Sequence, residues 1–210
     1  MAAQIGTRSQ GTLSPTLHLV EPAVEHHHNP FMPVYTLTAH AYRSWREDHP
    51  RGYVQRGEGL KESNPGLAVW RAGHARNDEA RFERDLQEEL HRVVVDIARE
   101  KEVRLHACAT CPTHVHCLIS FRSPACRCGA LMKHCRKGCP ARARADDVMV
   151  RMKRKMGQAL AKLRGTCSRP WFSRGWDCTP VKNEGHFDYL VTEYFPEHET
   201  EQEGIFRGYE

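Results

Sequence analysis

The chain has no apolar run near the roughly 18 residues that a membrane span requires. Its first twenty residues, MAAQIGTRSQGTLSPTLHLV, lack the apolar core of a secretory signal. These two absences exclude a membrane partner and make a cytoplasmic location the expectation. Without a secretory signal, and with an odd number of cysteines, nine, a disulfide framework is not expected. Reduced thiols or a metal site are. No convincing internal repeat is visible. Acidic residues are scarce in one stretch: between Lys133 and Arg164, eleven Lys and Arg are opposed only by Asp146 and Asp147. That stretch carries +9, and the remainder of a chain of net charge +5 carries −4. A block of this kind is either a solvated helix face or a surface for phosphates. The rest is ordinary for a soluble protein: 210 residues, 40% hydrophobic and 27% charged, enough for one domain or one domain with decoration.

Along the chain, residues 1–32 are polar, carry several Pro and Gly and the triplet His26-His27-His28, and read as a flexible arm. PVYTLTAHAY (33–42) alternates apolar and polar residues and reads as a strand. Residues 46–75 are rich in Gly and Pro and read as a long irregular connection. A long helix follows, capped by Asn77 or Asp78, with Phe82, Leu86, Leu90, Val93, Val94 and Ile97 at helical spacing. EVRLHACATC (102–111) and THVHCLISF (113–121) read as two strands joined at Pro112. Residues 122–145 read as an insertion rich in Cys, Arg, Gly and Ala. A second helix spans 146–165, with a Met/Leu core stripe and Gly165 at its end. WFSRGWDCTPVK (171–182) reads as a strand or aromatic arm, and EGHFDYLVTEYF (184–195) as a last helix that Pro196 ends or kinks. The order β–α–β–β–α–(β)–α predicts an α+β fold of the ferredoxin-like sort, an antiparallel sheet with helices packed on one side.

The chemistry centres on THVHCLIS (113–120). Residues two apart on a strand share a face, so His114 and His116 project together, about 7 Å apart by backbone rise. Neutral imidazoles ligate divalent metals, and two of them make half a site. An isolated H-x-H is more often incidental. Here Val115, Leu118 and Ile119 make a rigid buried platform. A basic helix and a helix bearing Tyr189 and Tyr194 follow. A metal to polarise phosphate, a tyrosine to attack it and a basic surface to hold nucleic acid fit one reaction.

PTHVHCLIS resembles the HUH signature (His, hydrophobic residue, His) of the single-tyrosine HUH transposases. These comprise the insertion-sequence (IS) 200/605 class and the REP-associated tyrosine transposases (RAYT). The resemblance extends over roughly 33–207, a transposase IS-200-like HUH domain. It takes in YTLTAH, LHACATCPTHVHCLIS, VRMKRKMGQALAKL, PWFSRGWDCTPVKN and FDYLVTEYFPEH. It implies a bacterial, nucleoid-associated DNA transposase that cleaves and rejoins single-stranded or hairpin DNA through a 5′-phosphotyrosine. Mg²⁺ or Mn²⁺ would be held by His114 and His116, with Tyr194 as nucleophile and His198 in the place of the usual Gln or Asn. The insertion-sequence members tend to be homodimers that share sites; the REP-associated branch includes monomers.

Pro196 departs from the pattern, because the tyrosine and the residue four positions later share one helix face in that family. Tyr189 with Glu193 is the competing pair. Lys153, Arg154, Lys155, Lys162 and Arg164 are candidate DNA contacts, with a solvated helix face as the alternative. Trp171 and Trp176 suit base stacking or, better, core and arm packing. Cys126, Cys128, Cys135 and Cys139, with His134 beside them, offer an imperfect match to structural zinc spacing. Cys108 and Cys111 form a C-x-x-C that lacks the helix start of a redox motif. Two further functions fit the residues: a catalytically inactive or domesticated module recognising repeat hairpins, and a zinc-stabilised protein-interaction domain.

Overall fold

The computed structural model describes residues 32–55, 58–123, 139–166, 169–201 and 203–209. The N-terminal arm and Cys126, Cys128, His134 and Cys135 lie outside the described residues.

Five antiparallel strands form the main sheet: β1 (Val34–His40), β4 (Arg104–Cys111), β5 (His114–Ser120), β6 (Asp177–Pro180) and β7 (Ile205–Gly208). Their order is β6-β1-β5-β4-β7. Two long helices, α2 (Arg84–Glu100) and α3 (Pro140–Arg164), make the crossovers β1-α2-β4 and β5-α3-β6. Without the edge strand β7, this is the ferredoxin-like α+β arrangement that the sequence predicts. Alternation places Val115, Cys117 and Ile119 of β5 on one face, in a core with Leu90, Val94 and Ile97 of α2 and Met149, Met152 and Met156 of α3. The methionine stripe is core, as its spacing implies.

The other face of β5 carries His114, His116 and Leu118. A smaller apolar cluster covers it, in which Leu118, Ala107 and Ala109 meet Phe187, Leu190 and Phe195. These last residues belong to α4 (Glu184–Tyr189) and the segment after it, which ends in α5 (Glu197–Glu201). The two long helices therefore share one side of the sheet, and the tyrosine-bearing segment takes the opposite side.

Several boundaries differ from expectation. Neither Asn77 nor Asp78 caps α2, which starts at Arg84. The backbone N–H groups of Ala80 and Phe82 bond instead to the carbonyls of Tyr42 and Pro112, both at 2.9 Å, so this stretch runs extended. Phe82 still reaches the core from there, fully buried. Helix α3 starts six residues early, at Pro140, where the missing proline N–H costs nothing. Ala141 and Ala145, assigned to the insertion, are buried helix residues. Gly165 does end α3, in the left-handed region at φ 63°. The irregular connection contains a short hairpin, β2 (Tyr53–Gln55) with β3 (Gly59–Lys61), and a helix, α1 (Pro65–Gly73). Strand β6 occupies only the end of the aromatic arm, and β7 was not anticipated.

Candidate metal and tyrosine site

The site begins with strand register. Thr38 of β1 lies opposite His116 of β5, and His40 lies opposite His114. The polar positions of YTLTAH thus share the face of the histidine pair. Their rings are 4.6 Å apart between centroids and nearly perpendicular.

The third histidine arrives from the far side of Pro196. A continuous α-helix through Pro196 would lose one ladder bond and drive the ring into the preceding turn. The chain avoids this by widening. Leu190–Tyr194 forms a π-turn, in which Phe195 N–H bonds to the Leu190 carbonyl at 3.0 Å, and α5 starts beyond the proline. In the new turn, His198 N–H bonds to the Phe195 carbonyl at 3.2 Å, which leaves the Tyr194 carbonyl open. His198 Nδ1 donates to that carbonyl at 2.9 Å. The proline therefore does not separate Tyr194 from His198. Phe195, fully buried and stacked on His116 at 5.8 Å, anchors the turn to the sheet.

His114, His116 and His198 each present one ring nitrogen, and these atoms all lie within 4.8 Å of one another. Every outer nitrogen is engaged. His116 Nδ1 meets the Thr38 hydroxyl at 2.7 Å, and His114 Nδ1 meets the Thr113 hydroxyl at 2.9 Å and the Cys111 thiol at 3.1 Å. A carbonyl can only accept, so His198 carries its hydrogen on Nδ1 and turns a lone pair inward from Nε2. The Nε2 atoms of His114 and His198 are 3.1 Å apart, about the spacing of two nitrogens on one first-row ion. Outer partners that fix ring orientation in this way are the usual support of a histidine metal site. The three residues fit a divalent ion.

Burial explains how three imidazoles tolerate each other. Desolvation, then repulsion from His198 and His40, pushes His114 down to about 3. Desolvation, then repulsion from His114, His198 and His40, holds His116 well below its ordinary value, and burial lowers His198. All three are neutral at pH 7 and able to donate lone pairs. The Tyr194 hydroxyl lies 3.3 Å from His116 Nε2. Burial raises its pKa, with Tyr189 as a further cause. Tyr189 is 44% exposed, and its ring stands 6.2 Å from that of Tyr194. Glu193, its proposed companion, faces solvent. The site opens into a cleft of about 880 Å³, whose rim includes Trp45, His49, Arg51 and Tyr189.

The basic residues of α3 lie across the sheet from this cleft. Arg164 pairs with Asp85 at 2.7 Å and also with Glu83, and Arg151 pairs with Glu100 at 2.8 Å. Lys153, half-buried and with a lowered pKa, donates to the carbonyls of Ser173 and Gly175. Much of the α3 charge thus answers acidic residues at the two ends of α2 or pins a loop. Arg154 and Lys162 face solvent, and Lys155 is half-buried. Trp171 is buried under Arg169, in a packing role, and the exposed Trp176 is held by Asp146 at 2.8 Å with Lys153 over its ring. Cys139 occupies the N-cap position of α3 without a side-chain capping bond, while its three proposed zinc partners lie outside the described residues. Cys108 and Cys111 point to opposite faces of β4. The first meets Cys117 and the second His114, so they form no redox pair.

Sequence reading missed Thr38 and Thr113 as supports, and Trp45, His49 and Arg51 on the rim. The alternating polar positions of YTLTAH were a visible signal for Thr38. The others depend on where loops fold.

No family model matches the chain, and no curated protein matches it. Among solved structures, the chain is similar to a REP-associated tyrosine transposase bound to a REP hairpin. Identity is 10% and the TM-score 0.42, over 80% of this chain and 67% of that one. A likeness at that level assigns no residue a role, and the roles below come from the site's own geometry.

Proposed function

We propose that the chain, over roughly residues 33–207, is a metal-assisted enzyme that nicks and rejoins single-stranded DNA, with Tyr194 as nucleophile and His114, His116 and His198 as metal ligands. The observation that carries this reading is the Tyr194 hydroxyl 3.3 Å from His116, at the edge of a three-histidine cluster whose outer nitrogens are all held. A tyrosine beside ligating imidazoles suits phosphoryl transfer. Its oxygen is a competent nucleophile, and its phosphate ester is a stable store of the cleaved bond.

A divalent ion bound by the three imidazoles would supply charge neutralisation at a non-bridging phosphate oxygen. The chain's own part is to position. Phe195 and the π-turn hold Tyr194 against the cluster, and the cleft admits a single strand. The Tyr194 oxygen forms a bond to phosphorus as the bond from phosphorus to the 3′-oxygen breaks. The phenol proton ends on the departing 3′-OH. A 5′-phosphotyrosine remains, and a different 3′-OH reverses the step and joins new ends without ATP. Arg51 on the rim supports strand binding by charge.

The test is adduct formation. Labelled hairpin-bearing single-stranded DNA is incubated with the protein and Mn²⁺ or Mg²⁺, and covalent protein–DNA species are resolved under denaturing conditions. Tyr194→Phe abolishes the adduct, and Tyr189→Phe retains it. The reverse pattern sinks the assignment. Strand binding without any adduct would favour a binding module that has lost catalysis.

A further inference from the structure

Two exposed tryptophans remain unexplained by the core or the site. Trp45 is 41% and Trp70 59% exposed. Each is backed by a histidine on one face. Trp45 stacks on His49 with ring centroids 4.5 Å apart, and Trp70 stacks on His74 at 4.4 Å. Trp45 is also fixed in place, its Nε1 donating to the Gly52 carbonyl at 3.0 Å, and the His74 ring that backs Trp70 is held by a bond from Nδ1 to the Trp70 carbonyl at 2.8 Å. Each ring thus keeps part of its flat surface available to a further ring, and Trp45 also meets His40 edge-on with centroids 5.6 Å apart.

Packing does not explain them. Of the nine residues of α1, only Ala68 is buried, so Trp70 rides on a helix that contributes almost nothing to the core. Trp45 borders the cleft of the histidine cluster and also a second groove of about 360 Å³, which Trp70, His74, Arg43, Arg46 and Arg71 line. One tryptophan thus connects the two cavities. Along this path Arg43, Arg46, Arg51 and Arg71 are opposed by Glu47, which pairs with Arg71, and by Asp48, which pairs with Arg46 at 3.1 Å. The surplus is positive.

We propose that Trp45 and Trp70, with Arg43, Arg46 and Arg71 between them, form a track that holds single-stranded DNA as it leads away from the metal cleft. Flat aromatic faces take unpaired bases whatever their identity, and the arginines follow the phosphates; that pairing of elements is how single strands are bound without sequence preference. The proposal rests on the reading of the cleft as a single-strand site for the identity of its ligand, and it extends that site to a surface some residues distant from the chemistry.

The test separates the track from the nucleophile. Anisotropy of a labelled oligothymidylate of about 20 nucleotides is measured with the full chain carrying Tyr194→Phe and no added metal, so binding is read without catalysis. Trp70→Ala weakens binding about tenfold, and Trp45→Ala does likewise, whereas Trp70→Phe restores most of the affinity. Arg46→Ala lowers the slope of log affinity against log salt by about 0.7. Tryptophan emission is quenched by the oligonucleotide in the parent protein and less so in Trp70→Ala. Val150→Ala, an equally exposed apolar site on α3, serves as the surface control and binds as the parent does. Parental affinity in both tryptophan variants overturns the proposal. So does a change of sedimentation in Trp70→Ala without a change in binding, which would make this face a contact between copies. Loss of the adduct in the nucleophile test leaves the track standing, and loss of the track leaves the nucleophile standing.

Discussion

His198 turns its ring back onto the carbonyl of Tyr194, four residues earlier, and bonds to it at 2.9 Å through Nδ1. That single contact fixes which nitrogen faces inward and ties a metal ligand to the tyrosine beside it. It is possible because, in the turn after Pro196, the backbone N–H of His198 bonds to the Phe195 carbonyl and leaves that of Tyr194 open.

Replacing the proline is therefore informative. In Pro196→Ala an ordinary α-helical ladder becomes available, and the N–H of His198 competes with its own ring for the Tyr194 carbonyl. Thermal stability holds or rises while affinity for Mn²⁺ or Zn²⁺ falls. Calorimetric titration checks this, and an unchanged affinity would show that the π-turn plays no part in ligand placement.

The supports of the rings make a second prediction. Thr38→Val removes the hydroxyl 2.7 Å from His116 Nδ1 while keeping the shape of the side chain. Metal affinity falls roughly tenfold, the lower end for lost outer-shell partners. His198→Ala removes a ligand and costs more. Equal affinities for Thr38→Val and the parent protein would mean that packing alone orients the ring.

A third prediction concerns acid. His91, fully buried in α2, is pushed down to about 4, chiefly by desolvation and then by Arg207. In the unfolded chain it titrates near its ordinary value of about 6.5. The unfolded state therefore binds more protons between these values, and stability falls as pH drops through that window. His114, His116 and His198 act in the same direction. Urea midpoints fall from pH 7 toward pH 4, less steeply in His91→Gln. An acid slope identical to the parent's would remove His91 from the account.

Gly204 gives a fourth. Its N–H bonds to the His198 carbonyl at 2.8 Å, and a Cβ there would lie 2.0 Å from the Thr110 carbonyl oxygen and 2.4 Å from that of His198. Arg84 and Gln87 of α2 hold the carbonyls of Gly204 and Glu203 from behind, so the loop cannot readily retreat. Gly204→Ala destabilises the fold by about 1–3 kcal/mol and weakens metal binding without touching a ligand. Denaturant unfolding and metal titration together decide it; a stable variant with parental metal affinity would show that the loop yields.

Alternation and helical spacing made the three central strands and the two long helices readable. So was the histidine pair of THVHCLIS, because two residues on one strand face need no knowledge of the rest of the chain. The start of α2 was not readable. Ala80 and Phe82 give their N–H groups to Tyr42 and Pro112, partners remote in sequence. The basic block was legible as charge but not as role. Arg151 and Arg164 find Glu100, Asp85 and Glu83 only once α2 and α3 pack side by side.

The amino-acid order thus determined on its own that His114 and His116 would project together from a buried strand, since the two-residue period of a strand is local. It also placed Tyr194 and His198 four residues apart and put a proline between them. Tertiary structure decided what that proline means. A helix read locally is broken by it. Against the sheet, buried Phe195 anchors a widened turn that carries Tyr194 and His198 to the histidine pair, because apolar burial holds a backbone shape that local propensity alone would not choose.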